Sequence, residues 1–314
     1  MIKSILLTGG TGFIGSNLLE ELLKKKYEVI LIKRSTSNTN RIQRLLDKIK
    51  IYDLDKINLS EVFENKIDAV IHLATYYKKI HSPDDVKPMI DSNIEFPSKI
   101  LEMCVKKNIK YFINTGTFFE YNLSTKKVLD EKSELKPFNL YASTKIAFSN
   151  ILNYYSDFFG LKVIELKLFS PYGPKDNEKL FPYIIKNLLE GKKISITKGE
   201  QKWNWTYVSD LCSAYIKALE RIQSNKENYE VFNIGADKQH SIREIVDKVE
   251  NILGVSGLVS YDKKYPENEI FFVACNNNNA RKILHWTPKV EIDEGINLTI
   301  NYYKSEVKQN GKVK

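Results

Sequence analysis

The chain has 314 residues, of which 42% are hydrophobic and 28% are charged. This composition is ordinary for a globular protein, so it excludes collagen-like, mucin-like and disordered chains, and no apolar run approaches the ~20 residues that a membrane span needs. The net charge of +9 is compatible with an anionic partner. Because the lysines are spread along the chain and no nucleic-acid-binding motif is present, we expect neither a nucleic-acid nor a membrane partner.

The N-terminus and the cysteines indicate the compartment. The first residues lack the small-residue cleavage site of a signal peptide, so none is expected. The three cysteines, Cys104, Cys212 and Cys275, lie far apart and outside any Cys/His cluster. They indicate neither a disulfide framework nor a zinc site, and we expect a cytoplasmic protein without a bound metal ion.

Strands alternate with helices in the first half of the chain. Short apolar segments predict strands, and apolar residues at helical spacing predict helices. The predicted strands are 3–8, 27–32, 49–52, 68–73, 111–115 and 162–168, and the predicted helices are 12–25, 39–48, 88–106 and 141–158. Because each strand reads as a near-continuous apolar run, this order predicts an α/β fold with a parallel sheet that is covered on both faces.

The alternation loosens after the Pro- and Gly-containing segment 171–174. Helices are predicted at 178–190, 208–222 and 241–253, and a short strand at 193–197. We expect two units, the first comprising 1–170 with 205–232 returning to it, and the second, smaller and α+β, comprising 171–204 and 233–304. The four-Asn run 276–279 is expected to be a turn or a helix start, and 305–314 a polar tail.

Three glycines follow the first predicted strand and open the first predicted helix, within the segment Thr8-Gly-Gly-Thr-Gly-Phe-Ile-Gly15. Gly9 permits a tight turn, Gly12 lets the backbone approach a pyrophosphate at the helix N-terminus, and Gly15 lets the helix pack closely on the strand. In this strand–helix context the spacing predicts a dinucleotide site. The predicted contacts are Gly9, Gly12, Phe13, Ile14 and Gly15.

This spacing is the GxxGxxG form, and over roughly residues 1–300 the chain resembles the extended short-chain dehydrogenase/reductase superfamily, the NAD(P)-dependent sugar-nucleotide epimerases and dehydratases. The resemblance implies that the first unit is a doubly wound Rossmann domain that binds NAD(P). It also implies that the second unit binds a nucleotide-sugar substrate.

The end of the second strand indicates which cofactor is bound. A carboxylate there binds the ribose hydroxyls of NAD, but this chain has Lys33, Arg34 and Ser35. Cationic side chains suit the additional phosphate of NADP, so NADP(H) is favoured and NAD(H) remains open. The alternative is that these are solvated charges at a strand end. The resemblance implies further cofactor contacts at Asp53, Leu54, Leu73, Ala74 and Thr75.

A YxxxK motif places Tyr141 and Lys145 one turn apart on one face of a helix. The ammonium group is expected to lower the pKa of the phenol so that it can exchange a proton near neutral pH, and Lys145 can also hold the nicotinamide ribose. The resemblance implies that Thr115 hydrogen-bonds the reacting oxygen and that Thr117 assists. The 4,6-dehydratases of the superfamily carry an Asp-Glu pair directly after this threonine, and Gly116 and Thr117 stand there instead. This departure argues against a dehydratase.

The resemblance also implies substrate contacts in the second unit. Ser170 stands where an asparagine usually contacts the sugar nucleotide, and Phe181 matches a loop that lines the nucleotide. Trp203 replaces an arginine that usually grips the diphosphate, and the neighbouring Lys202 is expected to supply the charge. Packing in a core or an interface is the alternative for the tryptophan.

Three segments, 113–119, 172–176 and 198–202, are most similar to the CDP-abequose synthase-like reductases of deoxysugar biosynthesis. This similarity implies NADPH-dependent reduction of the C4 ketone of a nucleoside-diphosphate 4-keto-6-deoxyhexose. An NAD-dependent sugar-nucleotide 4-epimerase is the alternative, and a non-catalytic dinucleotide-binding regulator is a remote one. The resemblance further implies a homodimer formed through the helix 141–158, for which ordinary core packing is the alternative.

Overall fold

The computed structural model describes residues 1–176, 179–225 and 227–310. Strands and helices alternate in the first half, with bounds within two residues of most predictions. The strands are β1 (Ser4–Thr8), β2 (Glu28–Lys33), β3 (Lys50–Asp53), β4 (Ala69–His72), β5 (Tyr111–Thr117), β6 (Val128–Leu129) and β7 (Lys162–Leu168). The α-helices are α1 (Phe13–Lys24), α2 (Leu59–Val62), α3 (Pro83–Ile90), α4 (Phe96–Lys106) and α5 (Leu140–Phe159).

Two predicted helices differ from the structure. The segment predicted at 39–48 forms a 3-10 helix, Asn40–Lys48, instead of an α-helix. The helix predicted from residue 88 begins at Pro83, where Asp85 accepts a hydrogen bond from the Ser82 backbone N–H at 2.9 Å. It then passes through a π-helical turn, Asp91–Glu95, into α4. The prediction began too late because Pro88, which normally breaks a helix, lies inside α3.

The second half contains short strands and longer helices. The strands are β8 (Pro171–Tyr172), β9 (Ile194–Ser195), β10 (Lys202–Trp203), β11 (Thr206–Tyr207), β12 (Tyr229–Ile234), β13 (His240–Ser241), β14 (Val259–Ser260) and β15 (Ala274–Cys275). The helices are α6 (Leu180–Leu189), α7 (Val208–Arg221), α8 (Ile242–Leu253), α9 (Asn278–Ile283) and α10 (Ile292–Asn310). Residues 305–310, predicted as a polar tail, continue α10, whereas 178 and 311–314 lie outside the described residues.

Seven strands form one parallel sheet in the order β12-β7-β5-β4-β1-β2-β3. The chain runs outward from β1 to β3, then crosses back to β4 on the other side of β1, so the sheet is doubly wound. β12 follows α7 and returns the chain to the sheet, where it is the edge strand beside β7. The predicted Rossmann fold is confirmed. Ligands of such sheets bind at the carboxyl ends of the strands where the winding reverses, here between β1 and β4.

Three hydrophobic clusters hold these layers together. The cluster on one face of the sheet contains Leu18, Leu22, Leu211 and Leu219 from α1 and α7, and the cluster on the other face contains Ile100, Leu101, Phe148 and Leu152 from α4 and α5. A third cluster joins α6, α8 and α10 through Ile184, Ile245 and Ile296. Trp286, from the segment assigned to the second unit, packs in the first cluster. None of the helices in the described ranges combines the length and the hydrophobicity that a membrane span requires.

Candidate active site

A cavity of about 810 Å³ lies at the carboxyl ends of the central strands. Its lining includes the glycine turn after β1, the ends of β2, β4 and β5, and Tyr141 at the start of α5. This volume falls within the range of small-molecule and cofactor sites. The cavity is therefore the candidate active site, and it lies where the winding of the sheet reverses.

The glycine turn fits a dinucleotide pyrophosphate. Gly9 has φ +71°, and a side chain there would collide with the backbone of Leu73 and Ala74. A side chain at Gly15 would collide with the Gly9 carbonyl oxygen. α1 begins after Gly12 without a side-chain cap and without an acidic residue in its first turn. Its free N–H groups therefore face the cavity, and the helix dipole favours an anion there. Phe13 and Ile14 line the same turn.

Of the two cationic side chains predicted at the end of β2, one is paired with a carboxylate and the other can reach a ligand. Lys33 Nζ lies 2.9 Å from Asp53 Oδ2, and the Ser35 hydroxyl donates to the same oxygen at 2.8 Å. The hydrogen bond from Lys33 lowers the pKa of Asp53 to about 2, so Asp53 is ionised at neutral pH. Arg34 is exposed and lines the cavity, together with Leu54. The guanidinium of Arg34 is thus the cation at this end of the cavity that Asp53 does not neutralise.

The segment after β4 packs against the glycine turn and forms a wall of the cavity with Leu73, Ala74 and Thr75, the residues predicted to contact the cofactor. The Ala74 N–H donates to Thr8 Oγ1 at 3.1 Å, which ties the segment to the end of β1. The Thr75 hydroxyl donates to Asn93 Oδ1 at 2.9 Å, in the π-helical turn. These bonds hold the wall against the glycine turn and define the width of the cavity.

Tyr141 and Lys145 lie together at the start of α5, where the Asn139 side chain caps the helix by accepting the Ala142 N–H at 2.9 Å. Both side chains are buried, and Lys145 Nζ is 5.9 Å from the centre of the Tyr141 ring. The Tyr77 ring packs edge-on against Tyr141 at 4.9 Å and shields it from water.

Burial has the largest influence on the pKa values of Tyr141 and Lys145. It lowers the pKa of Lys145 to about 8, whereas the carboxylates of Glu120 and Glu165 oppose that shift. Burial also raises the pKa of Tyr141 above its usual value, and the charge of Glu120 adds to the increase. The prediction that Lys145 lowers the pKa of Tyr141 is therefore wrong for the protein alone, because removing the phenol from water disfavours the phenolate more strongly.

Two threonines at the end of β5 line the cavity, Thr115 and Thr117. The Thr115 hydroxyl donates to the His72 carbonyl at 2.8 Å and lies 2.6 Å from the Tyr215 hydroxyl, which then donates to it. The Thr117 oxygen accepts a long bond from the Phe119 N–H, at 3.4 Å, and it also accepts the Glu120 backbone N–H in the capping box of the 3-10 turn Phe118–Glu120. The hydrogen of Thr115 is therefore engaged within the protein, whereas that of Thr117 can reach a ligand.

Four predicted substrate residues lie outside the cavity lining. Phe181 stacks on Tyr172 at 4.2 Å inside the third hydrophobic cluster. Lys202 is exposed on β10, and Ser170 is buried at the end of β7 with φ +36°. Trp203 donates to the Ile270 carbonyl at 2.9 Å. Of the predicted set, only Thr117 is among the lining residues.

Lys179 is a lining residue that the sequence analysis did not name. Its Nζ lies 5.6 Å from the centre of the Tyr77 ring, which packs against Tyr141. Its position just before Phe181, in a loop expected to line the nucleotide, is the signal that could have identified it. An ammonium group there suits an anionic substrate.

The chain matches the sequence model of the NAD dependent epimerase/dehydratase family over residues 5–235, more than half of its length. It belongs to the NAD-dependent epimerase/dehydratase family. The predicted family and the prediction that the chain is an enzyme are both confirmed.

Relatives and solved structures within the epimerase/dehydratase family cover nearly the whole chain. The CDP-abequose synthase of Salmonella typhimurium (strain LT2) is 30% identical over 301 residues, which are 93% of this chain and 95% of that protein. A putative UDP-glucose 4-epimerase of Methanocaldococcus jannaschii is 29% identical over 314 residues, 96% of this chain and 98% of that protein. The structure of UDP-glucuronic acid 4-epimerase from Bacillus cereus, in complex with UDP-glucuronic acid and NAD, has a TM-score of 0.86 and 30% identity, covering 96% of this chain and 99% of that one.

Proposed function

We propose that this enzyme reduces the C4 ketone of a nucleoside-diphosphate 4-keto-6-deoxyhexose with NADPH. The observation that carries the proposal is the end of β2, where Lys33 is paired with Asp53 and the exposed guanidinium of Arg34 lines the cavity in the place of a carboxylate. A cation there favours a phosphorylated, exchangeable cofactor, as a reductase requires. Similarity to the CDP-abequose synthase of Salmonella supports the same direction of reaction.

The side chains of the cavity supply proton transfer and hydrogen bonding. A bound nicotinamide cofactor would supply the hydride that reduces the ketone carbon. Tyr141 donates its proton to the oxygen that becomes an alkoxide, and Lys145, which is mostly ammonium below a pKa of about 8, stabilises the tyrosinate that remains. Each oriented donor of this kind typically contributes a factor of roughly 100–1000 in rate.

We assign the second hydrogen bond to Thr117. The family resemblance implies that Thr115 is the donor and Thr117 its assistant, but Thr115 already donates to the His72 carbonyl. A hydroxyl has one hydrogen to donate, so Thr115 can serve the substrate only after it breaks this bond. Thr117 retains its hydrogen and lines the same cavity, which supports the reverse order.

A nucleotide-sugar substrate and a second copy of the chain complete the proposal. Lys179 lines the cavity beside Tyr77, which packs against Tyr141, and the anionic part of the substrate would bind there. The outer face of α5 exposes Tyr154, Phe158 and Phe159, with 49%, 75% and 49% of each residue accessible. This apolar patch supports a homodimer formed through α5.

An NAD-dependent 4-epimerase is the second candidate. The UDP-glucuronic acid 4-epimerase of Bacillus cereus contains NAD and shares the fold of this chain over nearly its full length. The same Tyr141–Lys145 pair would first remove a proton from the C4 hydroxyl and then return it, so the catalytic residues do not distinguish the two reactions.

The deciding experiment supplies purified protein with NADPH or NADH and the CDP-, dTDP-, GDP- and UDP-linked 4-keto-6-deoxy sugars. We expect stoichiometric oxidation of NADPH, faster than that of NADH, with at least one of these sugars. In the Tyr141→Phe variant, turnover should fall by about 100-fold or more while NADPH fluorescence still reports binding. Protein that retains NAD through purification and interconverts 4-epimers without net oxidation of NADPH would replace this proposal by the epimerase.

A further inference from the structure

A buried cluster of three charged side chains lies behind the end of β5. Glu120 and Glu165 are fully buried, and Lys167 is 5% exposed. Lys167 Nζ lies 2.8 Å from Glu120 Oε2 and 4.0 Å from Glu165 Oε1. We call these residues the buried triad. Removing such charges from water is expensive, so a purely apolar core would be an easier way to stabilise this position.

The buried triad contacts the back of the strand that carries the reactive threonine. Glu120 Oε1 accepts the Thr117 backbone N–H at 2.7 Å. A side chain at Gly116 would come within 2.8 Å of Glu165 Oε1 and 3.0 Å of Glu120 Oε1. Because side chains alternate along a strand, Gly116 faces the triad while Thr117 faces the cavity. The triad thus fixes the backbone that orients the Thr117 hydroxyl.

The triad also contacts the helix that carries Lys145. The Ser149 hydroxyl, one turn further along α5, lies 2.8 Å from Glu165 Oε2 and 3.1 Å from the Lys145 carbonyl oxygen. Burial and the charge of Glu165 raise the pKa of Glu120 to about 7. Above that pH, two carboxylates face one ammonium group within the triad, which leaves an excess negative charge. The ammonium of Lys145 is buried, and the negative charges of Glu120 and Glu165 both act on it.

We propose that Glu120, held in the buried triad, is a positioning residue for the reaction, which orients Thr117 through its backbone and keeps Lys145 charged through its own negative charge. The inference rests on the proposed function, which gives Thr117 and Lys145 their roles. Burial of Lys145 favours its neutral amine, and only nearby carboxylates oppose this effect. Without them the ammonium would be lost at a lower pH.

The other titratable groups around the triad do not cancel the effect of its carboxylates on the pKa of Lys145. Burial and the charge of Lys145 lower the pKa of His72, so His72 is neutral. Burial raises the pKa of the tyrosines that face the triad and Lys145, which are therefore uncharged at neutral pH. The charged and titratable groups that face this region are Glu165 and Lys167 from β7, Tyr141 and Lys145 from α5, His72 from β4, Tyr229 from β12, and Tyr121.

The test follows the titration of Lys145 itself in Glu120→Gln protein. Glutamine keeps an oxygen for the Thr117 N–H and removes the charge. With lysine labelled by ¹³C and the Lys145 signal assigned by its loss in Lys145→Met, NMR should show the midpoint of the Lys145 titration moving to lower pH by about half a pH unit or more. In the steady state, kcat should fall more at pH 8.5 than at pH 6.5, with KM little changed.

Glu131→Gln is the matched control, because Glu131 also accepts a backbone N–H, from Asn233 at 2.8 Å, but lies outside the triad. In Glu131→Gln protein, the midpoint of the Lys145 titration should equal that of the unmodified protein. An unchanged midpoint in folded Glu120→Gln overturns the proposal. If that variant does not fold, Glu165→Gln should give the same shift, and failure of both to fold would assign the triad a structural role alone and overturn the proposal. Since the NMR titration needs no turnover, a failed reductase assay would not be mistaken for either result.

Discussion

Thr115 and Thr117 face the same cavity, but their hydroxyls are engaged differently. Thr115 donates to the His72 carbonyl and is held by Tyr215, which secures the end of β5 against β4 and α7. The Thr117 oxygen only accepts hydrogen bonds from backbone N–H groups, and no residue in the described ranges accepts the hydrogen of its hydroxyl. At the scale of single residues, the distribution of hydrogen bonds therefore separates a structural threonine from a reactive one.

Replacing each threonine by valine tests this separation, since valine has a similar shape and no hydroxyl. We expect Thr117→Val to lower kcat by roughly 100-fold, because the developing alkoxide loses a donor. Thr115→Val should retain kcat within a few-fold and instead lower the free energy of unfolding by about 1–3 kcal/mol, because Tyr215 loses its partner in a buried site. Steady-state kinetics and denaturant unfolding measure the two effects. The reverse pattern would return the catalytic role to Thr115.

Local spacing allowed the sequence to predict some of these residues. Gly9, Gly12 and Gly15, and the Tyr141–Lys145 pair, act through turns and through one helical repeat, so their relation is visible along the chain. The buried triad could not be foreseen in this way. Glu165 and Lys167 lie in a strand that reads as mostly apolar, and Glu120 meets them only when β5 and β7 pair. Charged residues that meet only when two strands pair produce no periodic pattern along the sequence.

Helix α5 has two functional faces. Near its start, Tyr141 lines the cavity and Lys145 is buried beside it, whereas Tyr154, Phe158 and Phe159 lie near its end and are exposed. Tyr154 and Phe158 pack on each other at 4.8 Å, which makes the exposed patch continuous. A second copy of this helix would cover the patch and would link the dimer interface to the element that positions the catalytic pair.

A charge in this patch should separate the dimer. We expect Phe158→Glu to weaken self-association by about tenfold or more, because the carboxylate must lose water on entering an apolar interface. Light scattering during size-exclusion chromatography, over a range of protein concentrations, measures the mass. Phe271→Glu is the control, since Phe271 is also an exposed phenylalanine, with 40% of the residue accessible, but lies outside α5. An unmodified protein that is monomeric at every concentration would exclude the proposed dimer.

The bounds of a strand or helix were predictable where the pattern of apolar residues along the sequence was clear. β7 was predicted with its observed bounds, because the apolar run that contains it lies between Gly160 and the pair Ser170-Pro171. α10 was not predicted, although it supplies Ile296 and Ile300 to the third hydrophobic cluster. Its mean polarity is high, and only a narrow stripe is apolar, so the helix depends on packing against α6 and α8 more than on its own pattern.

The whole molecule presents an electrostatic field suited to an anionic substrate. The chain carries a net charge of +9. Arg34 and Lys179 bring part of that charge to the cavity, whereas the charge of Lys33 is paired with Asp53. A field of this kind increases the rate at which oppositely charged ligands reach a cleft, and salt screens it. Cofactor and nucleotide sugar are both anionic, so each would benefit from it.

Salt should therefore act on capture of the substrate more than on the chemical step. Between about 0.01 M and about 0.15 M ionic strength the Debye length falls from roughly 30 Å to roughly 8 Å, and we expect kcat/KM to fall several-fold while kcat changes little. Lys179→Met should raise KM and flatten this dependence, because it removes the cation proposed to meet the substrate. Lys193→Met, an exposed lysine outside the cavity lining, should behave as the unmodified protein does. If the slopes of all three proteins against ionic strength coincided, Lys179 would have no part in binding the anion, and the cation that does so would have to be sought elsewhere around the cavity.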